Sequence, residues 1–335
     1  MAQGLTGLKP TMGRVSLYGV VPLTYTRDHP GPLARDAMDA AVMLQAMAGA
    51  DRKDPRTLGL PAVPDLIRAA TPMAQGGSTV LRWPTTIGVI PEHAEPSVPD
   101  FFRQEPEEDE TEEEREEREE RARTRQQRAQ AEGRLRVAML AQMEELGARV
   151  IEVEMPDGWD ELTSSEFNNV RLPERTEPFL EYLQQDVRLF GVSLSPWING
   201  LLLPAAEYIR GQRAKMLLLE RVLSQLFTQC DLVVQTRPFP FDMIGLPLIA
   251  FPIGFEDSAG VDTPVGAMLG AAPFGEERLL SVTAAYQSTT DWHRRRPLDP
   301  SPGREGLRPG GDGFGGARRS SRGRIDALDV MDLCE

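Results

Sequence analysis

The chain has 335 residues, of which 40% are apolar, so it is long enough for one large or two smaller domains with a packed core. Its two cysteines, Cys230 and Cys334, exclude a disulfide framework, and their spacing is unlike that of a metal site. The sequence has neither a secretion signal nor an apolar run long enough to span a membrane, so we expect a cytoplasmic protein without a metal or other cofactor.

The N-terminal segment is dense in proline and glycine, which leaves room only for short strands and fixed turns. A helix is predicted to follow over residues 35–47, because small and apolar residues surround most of it and indicate burial. Asp36 and Asp39 would lie near its first turn, where the helix dipole favours a carboxylate. Gly49 would end the helix.

The net charge of −14 is largely local. Residues 105–120 contain twelve acidic residues and two arginines, and the sign of the charge reverses over residues 121–128. This order favours an exposed helix, because acidic groups stabilise the N-terminal end of a helix and basic groups its C-terminal end. We interpret residues 104–133 as a charged helical or disordered insert; the alternative is an acidic arm that binds a basic partner.

The segments on either side of this insert predict a strand, a helix and a second strand. Residues 86–90 form a short apolar run, residues 135–146 carry an apolar stripe at helical spacing, and residues 150–154 alternate apolar with acidic side chains. Gly147 is placed to end the helix. This order favours a parallel βαβ unit whose second strand is exposed or lies at an edge of the sheet.

Residues 157–230 are predicted to be rich in helix. One helix is expected to begin at Pro178, because proline suits the first turn, and another to cover residues 216–227. Both are expected to cover the sheet and to shape a pocket. Three polar side chains of this region face either a ligand or solvent: Tyr208, Arg210 and Arg213.

The last folded part of the chain predicts three strands and a closing helix. The strands cover residues 231–236, 245–254 and 264–270, and the helix covers residues 276–286.

Loops that follow strand ends are common ligand sites in open α/β sheets. On this basis Thr236, Phe239 and Phe241 are predicted to line a substrate pocket, with ordinary core or loop packing as the alternative.

Residues 298–335 are predicted to be a disordered tail, because Pro, Gly, Arg and Ser dominate its first part without periodicity. Nucleic-acid binding is not expected, since Phe314 is the single aromatic residue among the arginines of this tail.

Two blocks of motifs, in the same order and with similar spacing, resemble the amidase signature family. The first block is Gly7-Leu8-Lys9-Pro10-Thr11-x-Gly13-Arg14-Val15-Ser16, Gly19-Val20-Val21-Pro22-Leu23, Asp28-His29-Pro30-Gly31-Pro32 and Gly49-Ala50-Asp51-x-x-Asp54-Pro55. The second is a strand ending in Thr236-x-Pro238, then Gly245-Leu246-Pro247, Pro264-Val265-Gly266 and Trp292-His293-x-x-x-Pro297. The resemblance implies an α/β/α fold with a mixed, largely central β-sheet flanked by helices. Residues 1–103 and 134–297 would form this amidase-like domain.

The resemblance also implies hydrolysis of a carboxylic amide C–N bond, with a small-molecule amide as substrate. Family members use a cis-serine in a Gly-Gly-Ser-Ser-Gly-Gly run, a serine nucleophile in a later Gly-Gly-Ser-x-Arg run and a lysine from far upstream. Neither run occurs in this sequence. Because the first block follows the nucleophile closely in the family, we expect this chain to start after the triad, to hold no catalytic residue and to be inactive alone. The alternative is a noncatalytic remnant or a binding protein.

Residues that could replace the missing triad are few. Lys9 and Ser16 would make a Ser/Lys dyad, yet Lys9 occupies a structural turn of the family pattern. The Gly76-Gly77-Ser78 triplet lacks the following arginine and is interpreted as a loop. His29 could orient a carboxylate but lies in a turn-forming segment. That same segment resembles general amidases more than the family's tRNA-dependent amidotransferases.

Overall fold

The structure, a computed structural model, describes residues 3–90, 112–164, 167, 169–190, 194–236, 239–258 and 261–296. The predicted tail at 298–335 and residues 104–111 of the predicted insert lie outside these ranges. Of the helices that are described, none is long and apolar enough to cross a membrane.

Nine strands are present in the described ranges. They are β1 (Thr6–Lys9), β2 (Leu33–Ala34), β3 (Met73–Gln75), β4 (Ser78–Val80), β5 (Thr85–Val89), β6 (Ala148–Glu152), β7 (Leu232–Gln235), β8 (Leu248–Ser258) and β9 (Val261–Ala271). Seven of them form one sheet in the order β2-β1-β8-β9-β7-β5-β6, and β3 and β4 form a separate hairpin. Strand β5 runs parallel to β6 and β7, whereas the other pairs in the large sheet are antiparallel. The predicted mixed sheet is confirmed.

Ten α-helices accompany the strands in the same ranges. They are α1 (Ala37–Met47), α2 (Leu66–Ala69), α3 (Glu112–Glu145), α4 (Trp159–Leu162), α5 (Leu172–Thr176), α6 (Leu180–Gln185), α7 (Ser195–Leu202), α8 (Ala205–Arg221), α9 (Phe239–Met243) and α10 (Glu276–Ser288). A π-helical turn, Val222–Leu226, extends α8. Short 3₁₀ turns occupy Pro55–Thr57, Asn169–Arg171, Glu177–Phe179, Val187–Leu189 and Trp292–Arg294.

Helices cover both faces of the large sheet, because successive side chains along each strand point to opposite faces. Leu232 and Val234 of β7 belong to a core that includes α1 and α10, whereas Val233 between them belongs to a second core with α8 and α9. The predicted α/β fold, with a mixed central sheet flanked by helices, is therefore confirmed.

The predicted βαβ unit is confirmed in β5, α3 and β6. Thr85 to Val89 pair in parallel register with Ala148 to Glu152, and β6 lies at the edge of the sheet. Helix α3 ends at Glu145, and Gly147 follows with φ of 100°, a conformation that glycine adopts without strain.

Helix α3 is longer than the helix predicted from its apolar stripe. The helix begins earlier than predicted, at Glu112, so it includes the charged residues 112–133 as well as the apolar stripe. Arg128 of this charged part forms an ion pair of 2.7 Å with the buried carboxylate of Glu256 on β8. Residues 112–133 are helical; their standing as an insert separate from the amidase-like domain stays a prediction.

The ends of the shorter helices follow side-chain capping. Asp36 accepts a hydrogen bond of 2.8 Å from the Asp39 backbone N–H, so Asp36 is the N-cap of α1 and α1 ends at Met47. The helix predicted to begin at Pro178 begins at Leu180 instead, because Glu177–Phe179 form a 3₁₀ turn, and Asp186 caps the next turn after α6 ends at Gln185.

Candidate functional site

The turn that follows β1 joins the two motif blocks. In the sheet Gly7 pairs with Ala250 and Lys9 with Leu248. Beyond the strand, the Met12 N–H donates to the Gly245 carbonyl oxygen at 3.0 Å. Segments that lie more than 230 residues apart in the chain therefore form one structural unit.

The same turn is bonded to the loop before α10. Thr11 donates its backbone N–H to Glu276 Oε1 at 2.7 Å, and its hydroxyl accepts a bond of 2.8 Å from the Phe274 N–H. The Arg14 guanidinium lies 3.7 Å from the second oxygen of Glu276 and stacks on the Phe274 ring at 4.5 Å. Arg14 and Glu276 are both buried, so this ion pair is shielded from solvent.

Lys9 and Ser16 do not form the dyad considered above. The Lys9 ammonium donates to the carbonyl oxygen of Leu246, and burial lowers the pKa of Lys9 to about 8 although the charges of Asp242 and Glu276 oppose this shift. The Ser16 hydroxyl donates to Asp51 Oδ2 at 2.7 Å instead. Gly76 and Gly77 form the turn of the β3–β4 hairpin, but Ser78 is the exposed first residue of β4, where the sequence predicted a loop.

His29 is neutral and points one ring nitrogen at the backbone. Its Nδ1 lies against the Arg27 carbonyl oxygen, which only accepts, so Nδ1 carries the proton. Among the described residues no partner reaches the buried Nε2. Burial, with the nearby charges of Lys9 and Arg27, lowers the pKa of His29 to about 3. In the structure His29 therefore bonds to the backbone of its own turn and does not orient a carboxylate.

This neutral histidine predicts acid sensitivity. Because the unfolded chain protonates His29 near pH 6.5 and the folded chain only near pH 3, the free energy of unfolding should fall as the pH falls from 6.5 towards 3. One such proton contributes a slope of at most about 1.4 kcal/mol per pH unit. Urea unfolding of the wild type and of His29→Asn between pH 7 and about pH 4.5 measures this slope. Equal slopes in the two proteins would contradict the prediction.

The three residues predicted to line a pocket lie at different depths. Thr236 is half-buried at the end of β7. Phe239 is half-buried, and the Arg27 guanidinium lies 5.8 Å from its ring centre and also forms a 2.7 Å ion pair with Asp242. Phe241 is fully buried, with its ring centre 5.8 Å from that of Phe227. Their role in substrate binding stays a prediction.

Glu174 connects three parts of the chain. Its Oε2 accepts the Thr26 N–H at 2.8 Å, and its Oε1 accepts the Thr26 hydroxyl at 2.8 Å. The same Oε1 accepts the Tyr208 hydroxyl at 2.8 Å and the Gln212 amide at 3.0 Å. Lys215 donates to the Thr26 hydroxyl at 2.7 Å. The carboxylate thus holds the loop around Thr26 against α5 and α8.

A cavity of about 440 Å³ lies beside this carboxylate. Its wall consists of three prolines, two tyrosines and two glutamates: Pro22, Tyr25, Pro173, Glu174, Glu177, Pro178 and Tyr208. Partial burial and the hydrogen bond to Glu174 raise the pKa of Tyr208 to about 12, so this phenol stays protonated at neutral pH. Thr236, Phe239 and Phe241 are not part of this wall.

Two of the polar residues left open above are now placed. Tyr208 faces the cavity, whereas Arg210 is exposed and pairs with Glu207 of its own helix at 2.7 Å. Sequence reasoning missed Glu174 altogether, because it lies outside every motif and its four hydrogen bonds come from segments distant in the chain. In the described ranges no three His, Cys, Asp or Glu side chains converge as a metal site.

Comparisons with known proteins agree with the motifs. The family described as Amidase matches residues 2–100. An amidase of Pseudomonas putida is 29% identical over 323 residues, which are 87% of this chain and 59% of the relative. A glutamyl-tRNA(Gln) amidotransferase subunit of Paraburkholderia xenovorans is 25% identical over 341 residues, which are 88% of this chain and 63% of the relative.

Solved structures share the fold. The peptide amidase of Stenotrophomonas maltophilia superposes with a TM-score of 0.62 at 22% sequence identity, over 88% of this chain and 59% of that enzyme. A peptide amidase bound to the competitive inhibitor chymostatin gives a TM-score of 0.63 at 20% identity, over 88% and 61% of the two chains.

A mixed sheet covered by helices on both faces, with the two motif blocks joined at one turn, defines an amidase-type α/β fold. Over residues 2–100 the chain matches the Amidase family, and along most of its length it is similar to an amidase. It spans about 60% of the length of the curated relatives it matches.

Proposed function

We propose that this chain provides the scaffold and part of the substrate site of a carboxylic amide hydrolase. The observation that carries the proposal is the junction of the two motif blocks, in which the turn after β1 is bonded both to Gly245 and to Glu276. The identity of 29% to an amidase over 87% of this chain supports the reaction class.

We further propose that the described residues do not complete the catalysis by themselves. The Ser16 hydroxyl is committed to Asp51, the Lys9 ammonium to a backbone carbonyl, and His29 to its own turn. A serine nucleophile needs a base within hydrogen-bond reach, and none of these three groups provides that pair. The triad implied by the family resemblance would therefore come from residues other than Ser16, Lys9 and His29.

The 335-residue protein should neither hydrolyse carboxylic amides nor react with a fluorophosphonate that labels activated serines. Mass spectrometry of the intact protein after incubation with the probe measures the labelling, and ammonia release from aliphatic, aromatic and peptide amides measures hydrolysis. A version extended upstream in frame from genomic DNA serves as the comparison. Labelling of the 335-residue protein that survives Ser16→Ala would contradict the missing-triad proposal.

The extended version tests the reaction class itself. Labelling at a new serine together with amide hydrolysis supports the amidase proposal. An extended protein that neither labels nor hydrolyses any amide would favour the alternative of a noncatalytic binding protein.

We propose a small-molecule amide as the substrate and the cytoplasm as the location, with no nucleic-acid partner. Thr236 and Phe239 are proposed to line the substrate site. Phe241 is fully buried, so its proposed role is to support the wall of that site from the core. For the insert, we propose that the charged part of helix α3 binds a basic partner.

A further inference from the structure

The cavity beside Glu174 has the size and shape of a small-molecule site. Its volume of about 440 Å³ falls within the range of pockets that enclose small ligands. Pro22, Pro173 and Pro178 give it rigid apolar walls, and Tyr25 and Tyr208 add two aromatic rings. Such walls suit a compact apolar or aromatic group, because flat rings and pyrrolidine rings offer a large contact area that loses little side-chain entropy.

The charge that faces the cavity is negative. Glu174 and Glu177 contribute carboxylates to the wall, and of the residues the structure describes no lysine or arginine belongs to it. The hydrogen bonds that hold Glu174 come from the uncharged groups of Thr26, Tyr208 and Gln212 and orient this carboxylate. The Lys215 ammonium, which donates to the Thr26 hydroxyl at 2.7 Å, interacts electrostatically with Glu174 and offsets part of its charge.

Glu174 and Glu177 differ in whether their carboxylates are free to bind a ligand. The oxygens of Glu174 already accept four hydrogen bonds, so Glu174 supplies a fixed negative potential. Glu177 is exposed, and its carboxylate makes no hydrogen bond or ion pair within the described ranges. Glu177 is therefore the group that is available to pair with a ligand.

We propose that this cavity binds an organic cation, whose ammonium or guanidinium group pairs with Glu177 while its apolar body packs on the prolines and on Tyr208. The Arg56 guanidinium already lies 4.4 Å from the centre of the Tyr25 ring, so the aromatic attraction for the ligand's cation would come from Tyr208. This proposal rests on the proposed amide hydrolysis. The substrates would then be amides that carry a positively charged group away from the reacting carbonyl.

Binding is tested without reference to hydrolysis, so that failure of one proposal leaves the other standing. The probe is phenethylammonium, and its neutral counterpart of the same shape is 2-phenylethanol. Isothermal titration or ligand-observed NMR on the 335-residue protein at pH 7 should show saturable binding of the cation and weaker binding of the alcohol. Raising the salt concentration to about 0.5 M should weaken the cation's binding, because the pair lies at the surface.

Substitution of Glu177 locates the site. Glu177→Gln should weaken phenethylammonium binding about three- to fivefold, the range of a solvent-exposed ion pair. Glu181→Gln is the matched control, because Glu181 is equally exposed on the next helix and is not part of the wall. Glu177→Arg should reverse the preference, so that 3-phenylpropionate binds more tightly than phenethylammonium.

The proposal is overturned if phenethylammonium shows no saturable binding, or if the alcohol binds equally well. It is also overturned if Glu177→Gln and Glu181→Gln have the same effect. The exposed position of Glu177 means that these variants should unfold at the wild-type temperature, so a loss of binding reports on the site and not on the fold.

Discussion

Replacing Phe241 with alanine is expected to lower the free energy of unfolding by about 3–5 kcal/mol. The side chain is fully buried in the core between the sheet and α8, where it packs against Phe227 and against the Cα of Gly270 on β9. Truncation removes the apolar area of the ring and leaves a cavity that the strands β7 and β9 are too rigid to close.

Equilibrium unfolding in urea, followed by tryptophan fluorescence, measures the loss. Phe239→Ala is the matched control, because Phe239 lies on the same helix but is only half-buried and should cost less than half as much. A loss below about 1 kcal/mol for Phe241→Ala would show that the ring is not a core residue. In a version active on amides, a raised KM for Phe239→Ala at unchanged kcat would support its proposed pocket role.

Replacing Glu276 with alanine is expected to lower the free energy of unfolding by about 3–5 kcal/mol, because the buried charge of Arg14 then has no counterion. Glu276 is 1% exposed and Arg14 is 5% exposed, so the guanidinium loses its counterion where water does not replace it. The Thr11 N–H, which donates to Glu276 at 2.7 Å, loses its acceptor as well.

A double-mutant cycle separates the two contributions. Arg14→Met combined with Glu276→Met should cost less than the sum of the two single changes, since the pair is then removed without leaving an unpaired charge. Glu277→Ala is the control, because Glu277 lies in the same first turn of α10 but is only half-buried. If the two single changes add without coupling, Arg14 and Glu276 do not interact in solution.

Much of the fold could be predicted because its signals are local. The apolar run in residues 232–234, the apolar stripe before Gly147 and the capping residue Asp36 each depend on neighbours within about two turns of chain. For this reason the βαβ unit, the buried strand β7 and the helix α1 agree with prediction. The predicted start at Pro178 was wrong by two residues, because Glu177–Phe179 form a 3₁₀ turn before α6 begins at Leu180.

The sequence by itself determined the resemblance to the amidase signature family, since its two motif blocks prescribe turns and strand ends that are set by glycine, proline and short polar residues. Only the tertiary structure decided how those blocks meet, because the bond from Thr11 to Glu276 joins residues 265 positions apart. The same holds for the cavity beside Glu174, whose walls come from the loop around Tyr25 and from α5 and α8. A single half-buried carboxylate such as Glu174 leaves no periodic pattern in a sequence, because its partners are set by the packing of the folded chain.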